Sequence, residues 1–145
     1  MGTRARVNVI DGNNVLLSIY RQYDGYPSGL GADILNQFKD CQITNGISGP
    51  RDALGKSANG MGCLAAQLVK SLKNEIGNVY IRDTSDDSHG EEFSYSLSER
   101  NGKLHLSVSA GSVTWFGLPG TPEKEMPMLY SGPLADFDPN KLDGE

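Results

Sequence analysis

The chain has 145 residues, a length typical of one domain, and 37% of them are hydrophobic, which is enough for one core. No run approaches the roughly 20 apolar residues that cross a bilayer, and no apolar segment like that of a signal peptide follows the N-terminus, so we predict a cytoplasmic protein with no membrane partner. The formal net charge is −5, with thirteen Asp and Glu against five Lys and Arg in residues 75–145, so general binding to nucleic-acid backbone is not expected.

The first half of the chain predicts two strands followed by two helices. Residues 5–10 and 15–23 are typical of strands and flank a strong Asp-Gly-Asn-Asn turn signal. Apolar side chains recur at helical spacing in residues 30–39 and 61–74, which predicts a helix over each. Residues 40–58, between the helices, are rich in Gly, Ser, Asn and Pro and predict a long irregular loop.

The second half predicts three strands and a tail. The strands are residues 78–82, 91–98 and 103–109, and an Asn-Gly hairpin turn joins the last two. Alternation places apolar side chains on one face and mostly serine on the other, which we expect to meet solvent or a partner. The sequence allows one more strand over 113–116. Residues 117–145 carry five of the seven prolines, which predicts an irregular arm or a partly disordered tail.

These elements, in the order ββααβββ, predict an α+β fold in which an antiparallel sheet of five to six strands carries two helices on one face. The predicted division is a single α+β domain over residues 1–116 and a Pro-rich, acidic C-terminal arm or tail over residues 117–145. The two cysteines, Cys41 and Cys63, are too few for a disulfide framework, so we expect both to be free thiols.

Residues 20–29 are the first candidate site because they combine three tyrosines with Arg21 and Asp24. The planar guanidinium of Arg21 suits a phosphate or a carboxylate, and Tyr23 and Tyr26 offer rings on which a base can stack. In the alternative interpretation these residues are structural: Arg21 pairs with Asp24 or caps a helix, and the tyrosines pack.

The start of the second helix is another candidate. Asn59 and Gly60 open a run of small residues, where free backbone amides and the helix dipole favour an anion. The run lacks the Lys-Ser/Thr of a P-loop, and close helix packing is the simpler reason for its glycines.

Residues suited to catalysis or metal binding are few. The acidic loop 83–92 lacks the Gly and Glu positions of a calcium-binding EF-hand. His89 and His105, the two histidines, have no metal-ligand spacing, and no nucleophile elbow is present. The sequence therefore predicts no cofactor, no metal and no catalytic residue.

Three segments carry a resemblance to known proteins: residues 20–27 (Tyr-Arg-Gln-Tyr-Asp-Gly-Tyr-Pro), residues 59–67 (Asn-Gly-Met-Gly-Cys-Leu-Ala-Ala-Gln) and residues 90–95 (Gly-Glu-Glu-Phe-Ser-Tyr). In this order they resemble a family of small proteins encoded in bacterial and phage genomes, over residues 7–108. That family is similar to the Thoeris anti-defence sponges. These are phage proteins that assemble into oligomers and sequester cyclic ADP-ribose isomers, and in some cases cyclic oligonucleotides, without cleaving them.

The resemblance implies a non-catalytic anti-defence protein that sequesters a nucleotide-derived immune signal in the host-cell cytoplasm. Arg21, Arg51 and Arg100 would contact phosphate groups, and Tyr80 or Phe93 would stack on the base. Because one subunit offers few cations, we expect a homo-oligomer whose interface gathers them. The predicted ligand-binding residues are Arg21, Tyr23, Asp24, Tyr26, Arg51, Asn59, Gly60, Tyr80, Phe93 and Arg100.

Two alternatives remain open. The excess of acids in residues 75–145 indicates a protein-binding inhibitor of a defence effector, such as a CRISPR nuclease. The polar residues clustered in residues 20–29 are the one indication of a small nucleotide hydrolase, which would act through Asp24 or His105.

Overall fold

The computed structural model describes residues 2–47, 50–85, 91–110 and 128–141 of the chain. The strands are β1 (Ala5–Asp11), β2 (Asn14–Arg21), β3 (Gln42–Thr44), β4 (Ser57–Asn59), β5 (Val79–Arg82), β6 (Phe93–Arg100), β7 (Lys103–Ala110) and β8 (Met128–Pro133). The helices are α1 (Ala32–Phe38), which follows a π-helical turn at Pro27–Gly31, and α2 (Gly60–Leu72). Two short 3-10 turns, Leu134–Asp136 and Pro139–Lys141, follow β8.

The strands form one mixed sheet in the order β4-β3-β7-β6-β1-β2-β5, with β8 paired to β7. Strand β1 pairs antiparallel with β2 but parallel with β6, and β3 pairs parallel with β4. The predicted antiparallel sheet of five to six strands with two helices on one face is therefore wrong. The described residues form eight strands, two of whose pairings are parallel, with two short helices.

The error has a physical reason, which is the short range of sequence signals. Turn residues and alternation identify the hairpins β1–β2 and β6–β7, but they do not show which strands join one hairpin to the other. Here β1 and β6 join them, and these two strands run in the same direction. Strand β3 and the first two residues of β4 lie in the predicted loop over residues 40–58. With three residues each, these strands are too short to show a periodicity.

The segment predicted as a C-terminal arm is partly a strand of the sheet. Strand β8 pairs antiparallel with β7, and Leu134 and Phe137 after it are buried in the core. Single apolar residues among prolines give no periodic signal, so this packing could not be read from the sequence. The possible strand over 113–116 and the predicted boundary at residue 116 lie outside the described residues.

One face of the sheet forms the hydrophobic core with α2. Val7 lies opposite Ile19 of β2 and Tyr95 of β6, so these three side chains point to the same face. Leu64 and Leu68 of α2 join the same core, and all five residues are fully buried. Burial of such side chains contributes most of the stabilising free energy.

The opposite face of the same strands is polar and partly buried. Arg6, Asn8, Ser18 and Ser94 are all buried there. The guanidinium of Arg6 lies 3.2 Å from the carboxylate of Glu91, and the two side chains are 1% and 4% exposed. This face is therefore not a uniform serine surface in contact with solvent. Its accessible part includes Tyr80 and Arg82 of the terminal strand β5, which are in register with Tyr20 and Ser18.

Both cysteines are free, as predicted. Cys41 is buried, whereas Cys63 is half-buried near the start of α2. Burial, with a further contribution from the neighbouring Cys63, raises the pKa of the Cys41 thiol to about 11. Cys41 therefore stays protonated in the folded protein at neutral pH.

We expect the raised pKa of Cys41 to make the protein less stable between pH 9 and pH 11. In this window the unfolded chain ionises Cys41 at its ordinary pKa of 9.0, whereas the folded protein keeps the proton until about 11, so rising pH favours unfolding by up to about 2 kcal/mol. Urea unfolding at about pH 8 and about pH 10.5 measures the effect. Cys41→Ala should lose less stability between the two values, and an equal loss in both proteins would contradict the prediction.

Candidate functional site

Arg21 lies at the end of β2, where its side chain is engaged within the fold. Its Nε donates a hydrogen bond to the Tyr23 carbonyl at 2.9 Å, and its Nη1 lies 3.1 Å from Oδ2 of Asp33 on α1. Arg21 is 8% exposed. The carboxylate paired with it is thus Asp33 rather than Asp24, and the ion pair ties the end of β2 to α1.

Arg21 also borders a polar cleft of about 480 Å³. Three carboxylates, those of Asp24, Asp33 and Glu75, face the one guanidinium in its wall. Amide side chains complete the polar lining, from Asn36, Gln37, Asn74 and Asn78. Because the excess charge is negative, this cleft disfavours a phosphate group.

Tyr23, Asp24 and Tyr26 form a corner between β2 and α1. The Tyr23 amide donates a hydrogen bond to Oδ1 of Asn78 at 2.8 Å, and the Tyr26 hydroxyl donates to Oδ1 of Asp24 at 3.2 Å. Asp24 has a φ of 59°, which Asp tolerates better than most residues and which reverses the chain. Tyr23 is 46% exposed, whereas Tyr26 is half-buried. These two hydrogen bonds hold the backbone of this segment against Asn78 and join Tyr26 to Asp24 within the corner.

Arg51 and Asn59 line a second cavity, of about 270 Å³, near the start of α2. Oδ1 of Asn59 accepts a hydrogen bond from the Gly46 amide at 2.7 Å, and the side chain makes no cap to the helix. Gly60 begins α2 with a φ of 80°, a conformation that favours glycine. The half-buried thiol of Cys63 lies in the same wall.

The arginines predicted to bind phosphate do not converge within one subunit. Arg21 and Phe93 are both in register with Ala5, at one end of the sheet. Arg100 ends β6 seven residues after Phe93, which is about 23 Å along a strand. Arg51 lines the separate cavity near α2. Phe93 is half-buried and packs against the core, so its ring is not an open stacking surface.

Asp24 and His105, the residues of the hydrolase alternative, lie in different places. Asp24 lines the polar cleft, whereas His105 lies in β7 opposite Pro133 of β8. Burial lowers the pKa of His105, and the nearby Arg100 lowers it further. Within the described residues, no group of three or more His, Cys, Asp or Glu side chains is placed to hold a metal ion.

Tyr80 lies in a cluster of aromatic rings and cations. It faces Tyr20 across the β2–β5 pair with ring centroids 6.0 Å apart, and Arg82 is on the same face because it is two residues further along β5. Cζ of Arg82 is 4.7 Å from the Tyr20 ring centroid, and Nζ of Lys73, at the end of α2, is 5.5 Å from the Tyr80 centroid. We call Tyr20, Lys73, Tyr80 and Arg82 the tyrosine hollow.

Among the residues that the structure describes, the tyrosine hollow is exposed at Lys73, Tyr80 and Arg82 and carries two positive charges. Tyr20, Tyr80 and Arg82 line a cavity of about 430 Å³ together with Gln22 and Ile81, whereas Lys73 lies beside the Tyr80 ring, outside this lining. Tyr80 is 45% exposed. No carboxylate is among the described residues of this lining. A cation over an exposed ring gains about 0.5–1 kcal/mol, so the rings help to hold Lys73 and Arg82 in place.

Sequence reasoning finds Tyr80 but misses the other three members of the tyrosine hollow. A partial signal exists in Tyr80 and Arg82, which are an aromatic and a cationic residue spaced by two on a predicted strand. Tyr20 joins them only through the register between β2 and β5, which are separated by α1 and α2 in the sequence. Lys73 joins them because α2 ends beside β5.

Comparisons with known proteins add no assignment. No protein family, no curated protein and no solved structure matches this chain. Across the described ranges, the structure contains no helix with both the length and the apolar character needed to span a membrane. The geometry of the tyrosine hollow is therefore the basis for a functional proposal.

Proposed function

We propose that this chain is a non-catalytic anti-defence protein that binds and sequesters a nucleotide-derived immune signal at the tyrosine hollow. The observation that carries the proposal is the placement of two cations beside two tyrosine rings. Arg82 and both rings line a cavity whose described lining has no carboxylate, and Lys73 lies next to that lining. A nucleotide needs both groups, since its base stacks on rings and its phosphates bind cations.

The expected affinity of one tyrosine hollow is moderate. A base stacked on Tyr20 or Tyr80 contributes roughly 1–3 kcal/mol. Each phosphate contact, to Arg82 or Lys73, contributes about 1.5–3 kcal/mol. The sum of about 4–9 kcal/mol, before ordering costs, corresponds at its upper end to a dissociation constant of about 0.3 µM.

The hydrogen bonds of Lys73 leave its ammonium group able to contact a phosphate. Its Nζ donates hydrogen bonds to the carbonyls of Gly77 and Val79, at 2.9 and 2.8 Å. An ammonium group has three donors, so one remains for a phosphate oxygen. The two carbonyls fix the position of the charge beside the Tyr80 ring, which reduces the entropy lost when a ligand binds.

The ligand class comes from the resemblance to the anti-defence sponges: a cyclic ADP-ribose isomer or a cyclic oligonucleotide. Both combine purine bases with phosphate groups, which fit the rings and cations of the tyrosine hollow. The described lining, which is Tyr20, Gln22, Tyr80, Ile81 and Arg82, offers no carboxylate, imidazole or thiol as a nucleophile or base. This composition favours sequestration over hydrolysis.

Calorimetric titration with cyclic ADP-ribose isomers and cyclic dinucleotides tests the proposal. The unchanged protein should bind at least one of them, and Tyr80→Ala and Arg82→Gln should each weaken binding about 10-fold or more, because each removes one stacking or phosphate contact. Ligand recovered after denaturation of the protein should be chemically unchanged.

Arg100→Gln is the matched control, since Arg100 is also an exposed arginine but lies at the end of β6, outside the tyrosine hollow. This variant should bind like the unchanged protein. The absence of heat with every ligand, or equal losses in Arg82→Gln and Arg100→Gln, would contradict the proposal.

A further inference from the structure

Strand β5 is the terminal strand of the described sheet, and its outer edge faces away from β2. The Gln22 amide donates to the Asn78 carbonyl at 2.8 Å, so these two residues form a hydrogen-bonded pair of the antiparallel ladder. By alternation, the backbone groups of Tyr80 and Arg82 also point to β2. Those of Val79 and Ile81 therefore point outward.

The outward groups of Val79 are already occupied. Its amide donates to the Gly77 carbonyl at 2.7 Å, and its carbonyl accepts a hydrogen bond from Nζ of Lys73 at 2.8 Å. A lysine at this position blocks pairing with another strand, as is common at sheet edges. Lys73 therefore closes the first half of the β5 edge.

Ile81 leaves the second half of the edge open. In the part of the chain that the structure describes, β2 is the only strand paired with β5, and no side chain bonds to the Ile81 backbone as Lys73 does to Val79. The Ile81 side chain is 59% exposed. An outward amide, an outward carbonyl and an exposed apolar side chain thus coincide at one residue.

We propose that a second copy of this chain pairs with this edge, antiparallel and about a two-fold axis at Ile81. In such a pair the Ile81 amide donates to the carbonyl of the partner subunit's Ile81, and the reverse bond forms by symmetry. A single residue pair then satisfies both outward groups of both copies. A longer foreign strand would meet the Lys73 block, which favours a second copy as the occupant.

The same register is complementary in charge and shape. It places Tyr80 opposite the partner subunit's Arg82, a cation beside an aromatic ring on the face of the tyrosine hollow. It also places Val79 opposite the partner subunit's Asp83, close to the Lys73 ammonium that binds the Val79 carbonyl. Opposite charges therefore meet at both ends of the short pair.

Pairing at Ile81 would merge two tyrosine hollows across the axis. The merged site would then carry two guanidinium and two ammonium groups, twice the number of cations that one subunit offers to a ligand with two phosphates. This consequence depends on the proposed function, whereas the pairing itself does not. We therefore expect ligand to tighten the dimer.

Sedimentation velocity from about 1 µM to about 1 mM protein tests the pairing. The unchanged protein should form dimers as concentration rises, and Ile81→Lys should raise the dissociation constant of the dimer at least 10-fold, because two ammonium groups would meet at the axis. Ile47→Lys is the matched control: Ile47 is 61% exposed, and it lies outside β5. Circular dichroism verifies that both variants are folded.

A protein that stays monomeric at every concentration overturns the inference, and so does an Ile81→Lys variant that dimerises like the control. A dimer that is lost in Ile81→Lys but binds no nucleotide supports the pairing and contradicts the proposed function. A monomer that binds nucleotide one to one supports the proposed function and contradicts the pairing.

Discussion

Replacing Glu91 by alanine should lower the free energy of unfolding by about 3–5 kcal/mol, because it removes the carboxylate facing a buried guanidinium. Arg6 and Glu91 lie 3.2 Å apart with side chains 1% and 4% exposed. A guanidinium buried to this extent has lost most of its hydration, which costs free energy. Glu91→Ala removes the Coulomb attraction that offsets this cost.

Glu92→Ala supplies the control for Glu91→Ala, since the next residue also pairs with an arginine but at the surface. Glu92 lies 3.6 Å from Arg4, with side chains 47% and 46% exposed, and such pairs contribute less than about 1 kcal/mol. Urea unfolding of the three proteins gives the comparison. Losses of similar size in both variants would show that burial does not strengthen the effect of the Arg6–Glu91 pair.

The double variant Arg6→Met with Glu91→Ala separates the pair interaction from the cost of a buried charge. If that cost dominates, the double variant should be more stable than Glu91→Ala alone, because the guanidinium that Glu91→Ala leaves behind is then removed as well. Arg6 is in register with Tyr20 on the same face of the sheet. The Arg6–Glu91 pair therefore supports the face of the sheet on which Tyr20 lies. If the tyrosine hollow binds the proposed ligand, Glu91→Ala should also weaken that binding.

The fold was predictable from the sequence where contacts are local. The Asn-Gly turn and the alternation around it are sufficient for the β6–β7 hairpin, and the apolar stripe is sufficient for α2. The parallel pairing of β1 with β6 joins segments more than 80 residues apart. It depends on the fit of two buried faces, such as Val7 beside Tyr95, which no local pattern encodes.

The candidate site was less predictable because the chemistry of each side chain depends on which other side chains the fold places beside it. The residue type of Arg21 suits a phosphate, but its ion pair with Asp33 and the carboxylates around it reverse the electrostatics of the cleft. For Arg82 the sequence offers only its spacing of two residues from Tyr80 on a predicted strand. Arg82 becomes part of a site only because the β2–β5 register brings it to Tyr20.

Gly25 lies at the point where the corner after β2 meets the start of β1. Its amide donates to the Thr3 carbonyl at 2.8 Å, and its carbonyl accepts a hydrogen bond from the buried Tyr95 hydroxyl at 2.7 Å. A Cβ atom at Gly25 would lie 2.6 Å from Cβ of Ala5 and 2.8 Å from the Thr3 carbonyl oxygen. Ala5 is the first residue of β1, and the Thr3 carbonyl is held by its hydrogen bond from the Gly25 amide, so both have little room to move.

Gly25→Ala should therefore destabilise the protein by about 3 kcal/mol, the upper range for an added methyl group that forces backbone movement. Gly62→Ala is the opposite case: among the described residues outside its own helix, nothing lies within 4 Å of the added Cβ, and the position is inside α2. There alanine should leave stability unchanged or raise it by up to about 1 kcal/mol. Thermal and urea unfolding of both variants measure the difference, and a small loss in Gly25→Ala would mean that the corner moves freely. In that case residues 20–27 would not be a rigid connection that positions α1 against the sheet. A structural role would then not explain why this segment contains these residue types.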